Sequence, residues 1–407
     1  MSTSETLAFN PFLPEVHEDP YPLYHELRRA EPVHRSPIGF WVLTRHADVL
    51  ALLRDPRTSR DPRSSERVEL LRSSVEVGQL LDEEEAAPSM LFVDPPDHTR
   101  LRTLVNKAFT PAAVERLRSR VEAIVGELLD RVAGTGTMDV VDDLAYPLPV
   151  TVICEMFGVP EADWDRFRTW SRELVRLLDP LVAEDAFEQA LQARLALRGY
   201  LRELIAERRA HPADDLLSAL IAAEDQGQAL SEPELVSMCV LLLVAGHETT
   251  VNLIANGMLA LLRHPEALAR LAADSSLAGS AVEELLRYDS PVQFTSRHAL
   301  ADFEIDGHGV RTGETIVGVL GAANRDPAQF ADPDELDLAR SPNRHVAFGG
   351  GIHFCLGAPL ARVEARIAIP ALLQRLSDLE LGGTPVRRDT VTLRGLSSLP
   401  VTFQAKG

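Results

Sequence analysis

In the stretch FGGGIHFCLGAPLAR, Phe348 to Arg362, Cys355 stands between glycines and the start of a helix, a position where a thiol can be made reactive. Gly349, Gly350 and Gly351 precede it and Gly357 follows, so the backbone can adopt conformations and close approaches that a side chain would forbid. A bulky or flat group could lie against such a loop. The residues that follow read as an amphipathic helix with Pro359 in its first turn. A helix N-terminus favours an anion, which lowers a thiol pKa and favours the thiolate. A thiolate is a nucleophile or a metal ligand. The first role asks for a histidine base with its orienting acid or amide, and a structural metal asks for more thiols or histidines; His353 alone completes neither set. A single axial thiolate on haem iron needs only one cysteine and stays open. Taken alone, a lone cysteine is more often a small core residue.

Three other groups could do chemistry. AGHETT, Ala245 to Thr250, sets an acid and two hydroxyls in the middle of an apolar helical pattern, where polar groups need a reason; a water-filled kink would be one. Glu284 and Arg287 stand at i, i+3 on a helix, which puts both on one face, a spacing that usually marks an exposed ion pair. His98 and Arg102, at i, i+4 near a helix start, read alone as a surface basic pair.

The elements that must position these groups are mostly helical. The chain has 407 residues, 45% hydrophobic and 25% charged, which suits a globular protein with a large core. Three cysteines, Cys154, Cys239 and Cys355, without CxxC spacing argue against a disulfide framework and for a reducing cytoplasm. The N-terminus shows neither a secretory signal nor a membrane anchor. A net charge of -20 argues against nucleic acid or an anionic membrane surface as the main partner. Apolar residues at three and four spacing predict a helical core over 98–290, with β-rich portions near 33–45 and 300–320 and short strands at the C-terminus. The stretch from Ser59 to Ser89, with its acidic cluster Asp82 to Glu85, reads as a solvated loop with one short helix. The run from Ser231 to His264 is the longest helical pattern, and His247, Glu248, Asn252 and Asn256 break its apolar stretch too early for a bilayer span. One mainly α domain over residues 1–407, with a small β region, is the economical reading.

The pattern F-G-x-G-x-H-x-C-x-G, carried here by Phe348, Gly349, Gly351, His353, Cys355 and Gly357, resembles the haem-binding loop of the cytochrome P450 family. The resemblance runs in order from YPLYHELRRAEPV to LRGLSSLPV, essentially the whole chain, and is nearest to soluble bacterial members. It implies a triangular-prism fold, haem b held over the loop 348–357, and Cys355 as the iron's ligand. It makes His98, Arg102, Arg297 and His353 partners of the haem propionates, with Ala245, Phe348, Gly349 and Gly357 along the cofactor. It turns Glu284 and Arg287 into a buried pair joined by Arg340. It reads Glu248 and Thr249 as the acid and hydroxyl that deliver protons to dioxygen, and it leaves His247 at a variable position.

The activity so implied is a monooxygenase that inserts one atom of dioxygen into a lipophilic small molecule, such as a polyketide or macrolide in secondary metabolism, by hydroxylation or epoxidation. Fatty acid, terpenoid or steroid oxidation is the alternative. Related peroxygenases replace the acid and hydroxyl pair, which is present here; a haem-thiolate binding protein without turnover is the rival of a different class. The Ser59 to Phe92 region, with Met90 and Phe92 in it, Leu241, Val244, Ala245, Val292, Gln293, Phe294, Thr295 and Leu396 to Ser398 are the expected substrate contacts. No flavin or iron–sulfur segment is left over, so a ferredoxin with its reductase would supply electrons. It would dock on a basic patch of Arg100, Lys107, Arg344, Arg362 and Arg366.

Overall fold

The computed structural model describes residues 9–37, 39–66, 87–179, 183–225 and 227–405. The acidic cluster Asp82 to Glu85 and the helix expected beside it lie outside the described residues. Ten helices carry the architecture: α1 (Tyr21–Ala30), α2 (His46–Leu52), α3 (Asp97–Ala108), α4 (Arg118–Val132), α5 (Pro147–Phe157), α6 (Trp164–Arg176), α7 (Glu184–Ala210), α8 (Glu232–Arg263), α9 (Ala278–Tyr288) and α10 (Ala358–Arg375).

Helix α8 is the spine. Ser231 opens it with a reciprocal cap: its hydroxyl accepts from Glu234 N, and its own N–H donates to the Glu234 carboxylate at 2.9 Å. Pro233 sits in the first turn and Pro265 follows the end, so both limits are written locally. Its 32 residues span about 48 Å at 1.5 Å per residue. Every residue from Thr250 to Leu261 is buried, including Asn252 and Asn256. A helix wrapped on all sides is a core helix. Helices α5, α7, α9 and α10 pack around it. Among the described residues it is the one helix long and apolar enough to cross a membrane, and most of that apolar stretch is buried inside the protein.

One five-stranded sheet joins β1 (Val33–Arg35), β2 (Trp41–Leu43), β3 (Thr58–Ser59), β4 (Phe294–Ala299) and β5 (Thr315–Val319); β3 and β4 lie outside the expected β-rich portions, and 303–305 and 308–310 pair separately. Its order is β1-β2-β5-β4-β3, with β2 and β5 parallel and the other pairs antiparallel. Arg297 faces Ile316 across β4 and β5, which fixes where its guanidinium projects. At the C-terminus, strands 376–381 and 400–405 pair beside 137–139, and 386–387 pairs with 396–398.

The expected pair on α9 is fully buried. Arg287 donates to both carboxylate oxygens of Glu284, at 2.8 and 2.7 Å, and both side chains have no exposure. Arg340 reaches the same carboxylate from a later loop at 3.2 Å. Asp337 N and Asn343 Nδ2 also donate to it, at 2.9 and 3.0 Å. The spare arginine donors meet carbonyls: Arg287 bonds Asn324, Pro333 and Glu335, and Arg340 bonds Ala331 and Asp332. Asn324 in turn accepts from Val346 N at 2.7 Å, two residues before Phe348. The carboxylate thus pins the segment 324–346 that delivers the cysteine loop.

Breaking a satisfied buried pair strands a charge, at a cost of about 3–5 kcal/mol. Arg287→Met is expected to lower urea-unfolding stability by that order; a loss under about 1 kcal/mol would show that the network is not what holds this region.

Candidate active site

The loop before α10 is closed by its own backbone. Cys355 N donates to Phe348 O at 3.0 Å and Gly349 N to Val346 O at 2.8 Å. Gly349 and Gly351 take φ of 70° and 65°, the left-handed region. At Gly351 a Cβ would lie 2.2 Å from the Leu53 carbonyl oxygen, just past α2. The chain itself therefore demands this glycine, whereas around Gly349 a Cβ would meet nothing within 4 Å. Helix α10 begins at Ala358 with Gly357 as its cap. The Gly357 and Ala358 amides point at the Cys355 sulfur, as expected of a helix start, yet the thiol is not lowered. Burial pushes it up and outweighs those amides and the Arg102 and Arg362 charges. The helix end alone does not make a thiolate here; a bound cation would.

Beside the loop the fold gathers cations. The His98 and His353 rings stand 4.4 Å apart between centroids. Arg102 and Cys355 sense each other's charge. Arg297 is 4% exposed and, among the described residues, bonds Thr295 Oγ1 and Ser296 O, at 3.1 and 2.8 Å. Arg60, which nothing in the sequence singled out, binds the same two oxygens at 3.2 Å and stacks over Phe92 at 5.4 Å. Burial, then neighbouring positive charge, holds Arg297 down to about 9 and His353 down to about 3. Asp94 is the carboxylate that opposes His98 and Arg297, and it already accepts from Ser59 and from Arg60 N. So many desolvated donors and so little negative charge call for anions from elsewhere. A flat apolar group bearing two carboxylates, laid against a glycine loop with one thiol, meets that demand; haem b is such a group.

On α8, Ala245 is exposed, with Leu241, Val244 and Thr249 half-buried around it, so these residues form an open stripe. The Thr249 hydroxyl donates to Ala245 O at 3.1 Å. Glu248 lies on the adjacent buried face, 1% exposed. Its Oε2 takes Arg388 Nη1 at 2.5 Å, while Oε1 has no hydrogen-bond partner. Burial works to raise this carboxyl, but His247, Arg388 and Arg172 win and hold it at about 2. Glu248 therefore rests as an anion, and the proton delivery that the resemblance implies requires it first to take one up. Arg388 comes from the C-terminal hairpin, 140 residues away, and no local pattern announced it.

Several expected substrate contacts are core residues. Gln293 is 2% exposed; its Oε1 accepts from Tyr24 Oη at 3.0 Å and its amide donates to Ser290 O at 2.7 Å. Leu396 is fully buried, and Met90 is 6% exposed in the same main core. Phe294, which packs edge-on against Tyr24 and Phe9, and Val292, against the sheet's core, are only partly buried. Each is apolar or satisfied, so sequence could not tell core lining from cavity lining. Phe92, Leu241, Val244 and Ala245 keep open surface or only partial burial.

The expected basic patch is partly neutralised. Arg362 and Arg366 share Glu283, at 2.7 and 3.0 Å, with His345 on the same carboxylate. Arg100 pairs with Glu234, and Lys107 binds Glu224 O at 2.6 Å. Arg344 is exposed. Flanking Cys355, Ile352 and Phe354 are 51% and 43% exposed, an apolar feature the expectation lacked.

A mainly helical fold around a one-thiol loop and an anion-seeking cation cluster defines a haem-binding class of protein. Residues 79–406 match the family model "Cytochrome P450", and the chain belongs to that family. It is 43% identical over 413 residues to the polyketide biosynthesis cytochrome P450 PksS of Bacillus subtilis, covering 98% of this chain and 99% of the relative. The solved PksS structure superposes with a TM-score of 0.89 over 97% of this chain and 100% of that one. Cytochrome P450 monooxygenase PikC of Streptomyces venezuelae is 46% identical over 399 residues, 95% of this chain and 91% of PikC. The structure of P450BioI in complex with hexadec-9Z-enoic acid ligated acyl carrier protein gives a TM-score of 0.87 at 41% identity, over 96% and 99% of the two chains. The protein is a haem b-dependent monooxygenase.

Two substitutions separate the roles of the loop. Gly351→Ala is expected to cost more stability than Gly350→Ala, by about 1–3 kcal/mol, since only the former is forced into left-handed backbone; equal costs would remove the steric argument. Cys355→Ser is expected to abolish the thiolate-type carbon monoxide difference band of the reduced protein, and retention of that band would exclude Cys355 as ligand.

Proposed function

We propose that Cys355 ligates the haem iron and that this chain oxidises a lipophilic acyl or polyketide-type molecule. The observation that carries the haem placement is the cation cluster beside Cys355, short of anions within the chain. Arg102, Arg297, His98 and His353 would hold the two carboxylates, with Arg60 beside them. The Gly357 and Ala358 amides would stabilise negative charge on Cys355 once the metal has displaced its proton. Bound haem supplies the oxygen activation and electron chemistry, and a thiolate ligand favours O–O cleavage.

The chain's own residues position the rest. Leu241, Val244 and Ala245 offer the substrate an apolar wall, with Phe92 beside Arg60. The Thr249 hydroxyl, held by the Ala245 carbonyl, keeps its lone pairs free to accept and can pass its proton on. Glu248 can feed that hydroxyl only after taking up a proton itself, because it rests ionised beside His247, Arg388 and Arg172. The polyketide reading draws on the similarity to PksS, and the acyl-chain alternative on that to P450BioI. Three free cysteines fit a cytoplasmic setting. We assign electron delivery to a ferredoxin with its reductase, docking on exposed Ile352 and Phe354 with Arg362 stacked over the neighbouring Phe348, an apolar contact with a charged rim rather than a broad basic field.

Thr249→Ala is expected to lower the fraction of NADH electrons recovered in product several-fold while substrate affinity, read from the spin-state shift, stays unchanged; unchanged coupling would remove Thr249 from proton delivery. Phe354→Ser is expected to slow ferredoxin-driven reduction without altering dithionite reduction, and an equal ferredoxin rate would move the docking face elsewhere.

A further inference from the structure

His247 is fully buried in the middle of α8, and its ring contacts define its chemistry. Nδ1 lies 2.8 Å from the Leu243 carbonyl oxygen, which can only accept, so Nδ1 carries a proton. Nε2 lies 2.8 Å from Ser171 Oγ on α6 and 3.6 Å from Glu248 Oε1. In the neutral ring the Ser171 hydroxyl donates to the Nε2 lone pair. Nothing among the described residues then satisfies Glu248 Oε1, a buried carboxylate oxygen. Such an orphan is costly, and the group nearest to curing it is a proton on Nε2.

The surroundings leave few other sources. The His247 ring is packed edge-on between Tyr146 and Phe167. Arg168 and Arg172 of α6 lie over the Tyr146 ring at 4.3 and 5.1 Å, and Arg388 holds the other oxygen of Glu248. The Tyr146 hydroxyl is buried without a partner, and burial, then Glu248, keeps it protonated far above the neutral range. His247 Nε2 and Glu248 Oε1, 3.6 Å apart, are thus the pair of atoms here between which a proton can pass.

We propose that His247 is a positioning residue that loads Glu248 with its proton, and that Ser171 of α6 controls the loading. This rests on the reading of Glu248 as a proton carrier. When Ser171 leaves Nε2, the ring takes a second proton from solvent hydronium, releasing water, and presents Nε2–H to Glu248 Oε1. The N–H bond then breaks and the O–H bond forms, so imidazolium and carboxylate become neutral imidazole and carboxylic acid with no net change of charge. Glu248 is then free of its attraction to Arg388 and can serve Thr249. Movement of α6 would in this way set proton delivery from a site that need not touch the substrate.

The test is the titration of His247 in 15N-histidine-labelled holoenzyme, reduced and carbon monoxide-bound so that it is diamagnetic, with the resonance assigned by His247→Gln. The expected pattern is an Nδ1–H tautomer, an apparent pKa that rises by about 1 unit in Ser171→Ala, and one that falls by a similar amount in Glu248→Gln. An Nε2–H tautomer, or a titration unmoved by Ser171→Ala, would overturn the proposal. Coupling of NADH to product, measured with the lipophile that shifts the spin state most, separates the two readings. If Glu248→Gln leaves coupling intact, the proton-carrier reading falls. If Glu248→Gln uncouples turnover several-fold while His247→Gln and Ser171→Ala do not, only the role of His247 is lost.

Discussion

One buried carboxylate organises the proximal half of this molecule. Glu284 accepts from two arginines, an asparagine and a backbone amide, with no exposure to water that could substitute for any of them. Each arginine then spends its remaining donors on carbonyls of the meander between Asn324 and Glu335. That segment has almost no regular structure, so its backbone groups need partners from side chains. The ion network supplies them, and through Asn324 and Val346 it sets where the cysteine loop begins. Its value lies less in net stability than in fixing one arrangement of a loop that could adopt many.

The second organising feature is an imbalance. Around Cys355 the chain places more positive charge than it neutralises, and it buries much of it. The unloaded fold pays for this in depressed arginine and histidine pKa values. A ligand that brings two carboxylates relieves the cost, so binding and stability are linked. On α8 the balance is the reverse: Glu248 is over-compensated on one oxygen by Arg388 and left bare on the other. One end of the site is built to receive a fixed anion, the other to move a proton.

Much of this was legible in the residues. The helical core, the capped and over-long α8, the strands at both ends and the cysteine loop follow from periodicity, turn residues and glycine placement, all local signals. The i, i+3 spacing put Glu284 and Arg287 on one face, but spacing cannot tell an exposed pair from a buried one; the fold buried it. Gln293 and Leu396 were legible only as amide-bearing or apolar residues near a plausible cavity, and neighbours distant in sequence, such as Tyr24 for Gln293, put them into the core. The glycine run was legible as a demand for unusual backbone, though not that Gly351 answers to the carbonyl of Leu53. Arg60, Ser171 and Arg388 carried no signal, since an arginine or serine outside a motif is ordinary.

The sequence by itself determined the reaction class, because a thiol with its glycines, histidine and helix start is a local constellation, and the order of such constellations along the chain identifies the family. Only the tertiary structure decided the protonation chemistry. Desolvation raises the Cys355 thiol where the helix end alone would lower it, and His247, Arg388 and Arg172 together ionise Glu248 where burial alone would neutralise it. Both outcomes depend on distance and dielectric, which arise when segments more than a hundred residues apart come together, and neither is written in any stretch of the chain.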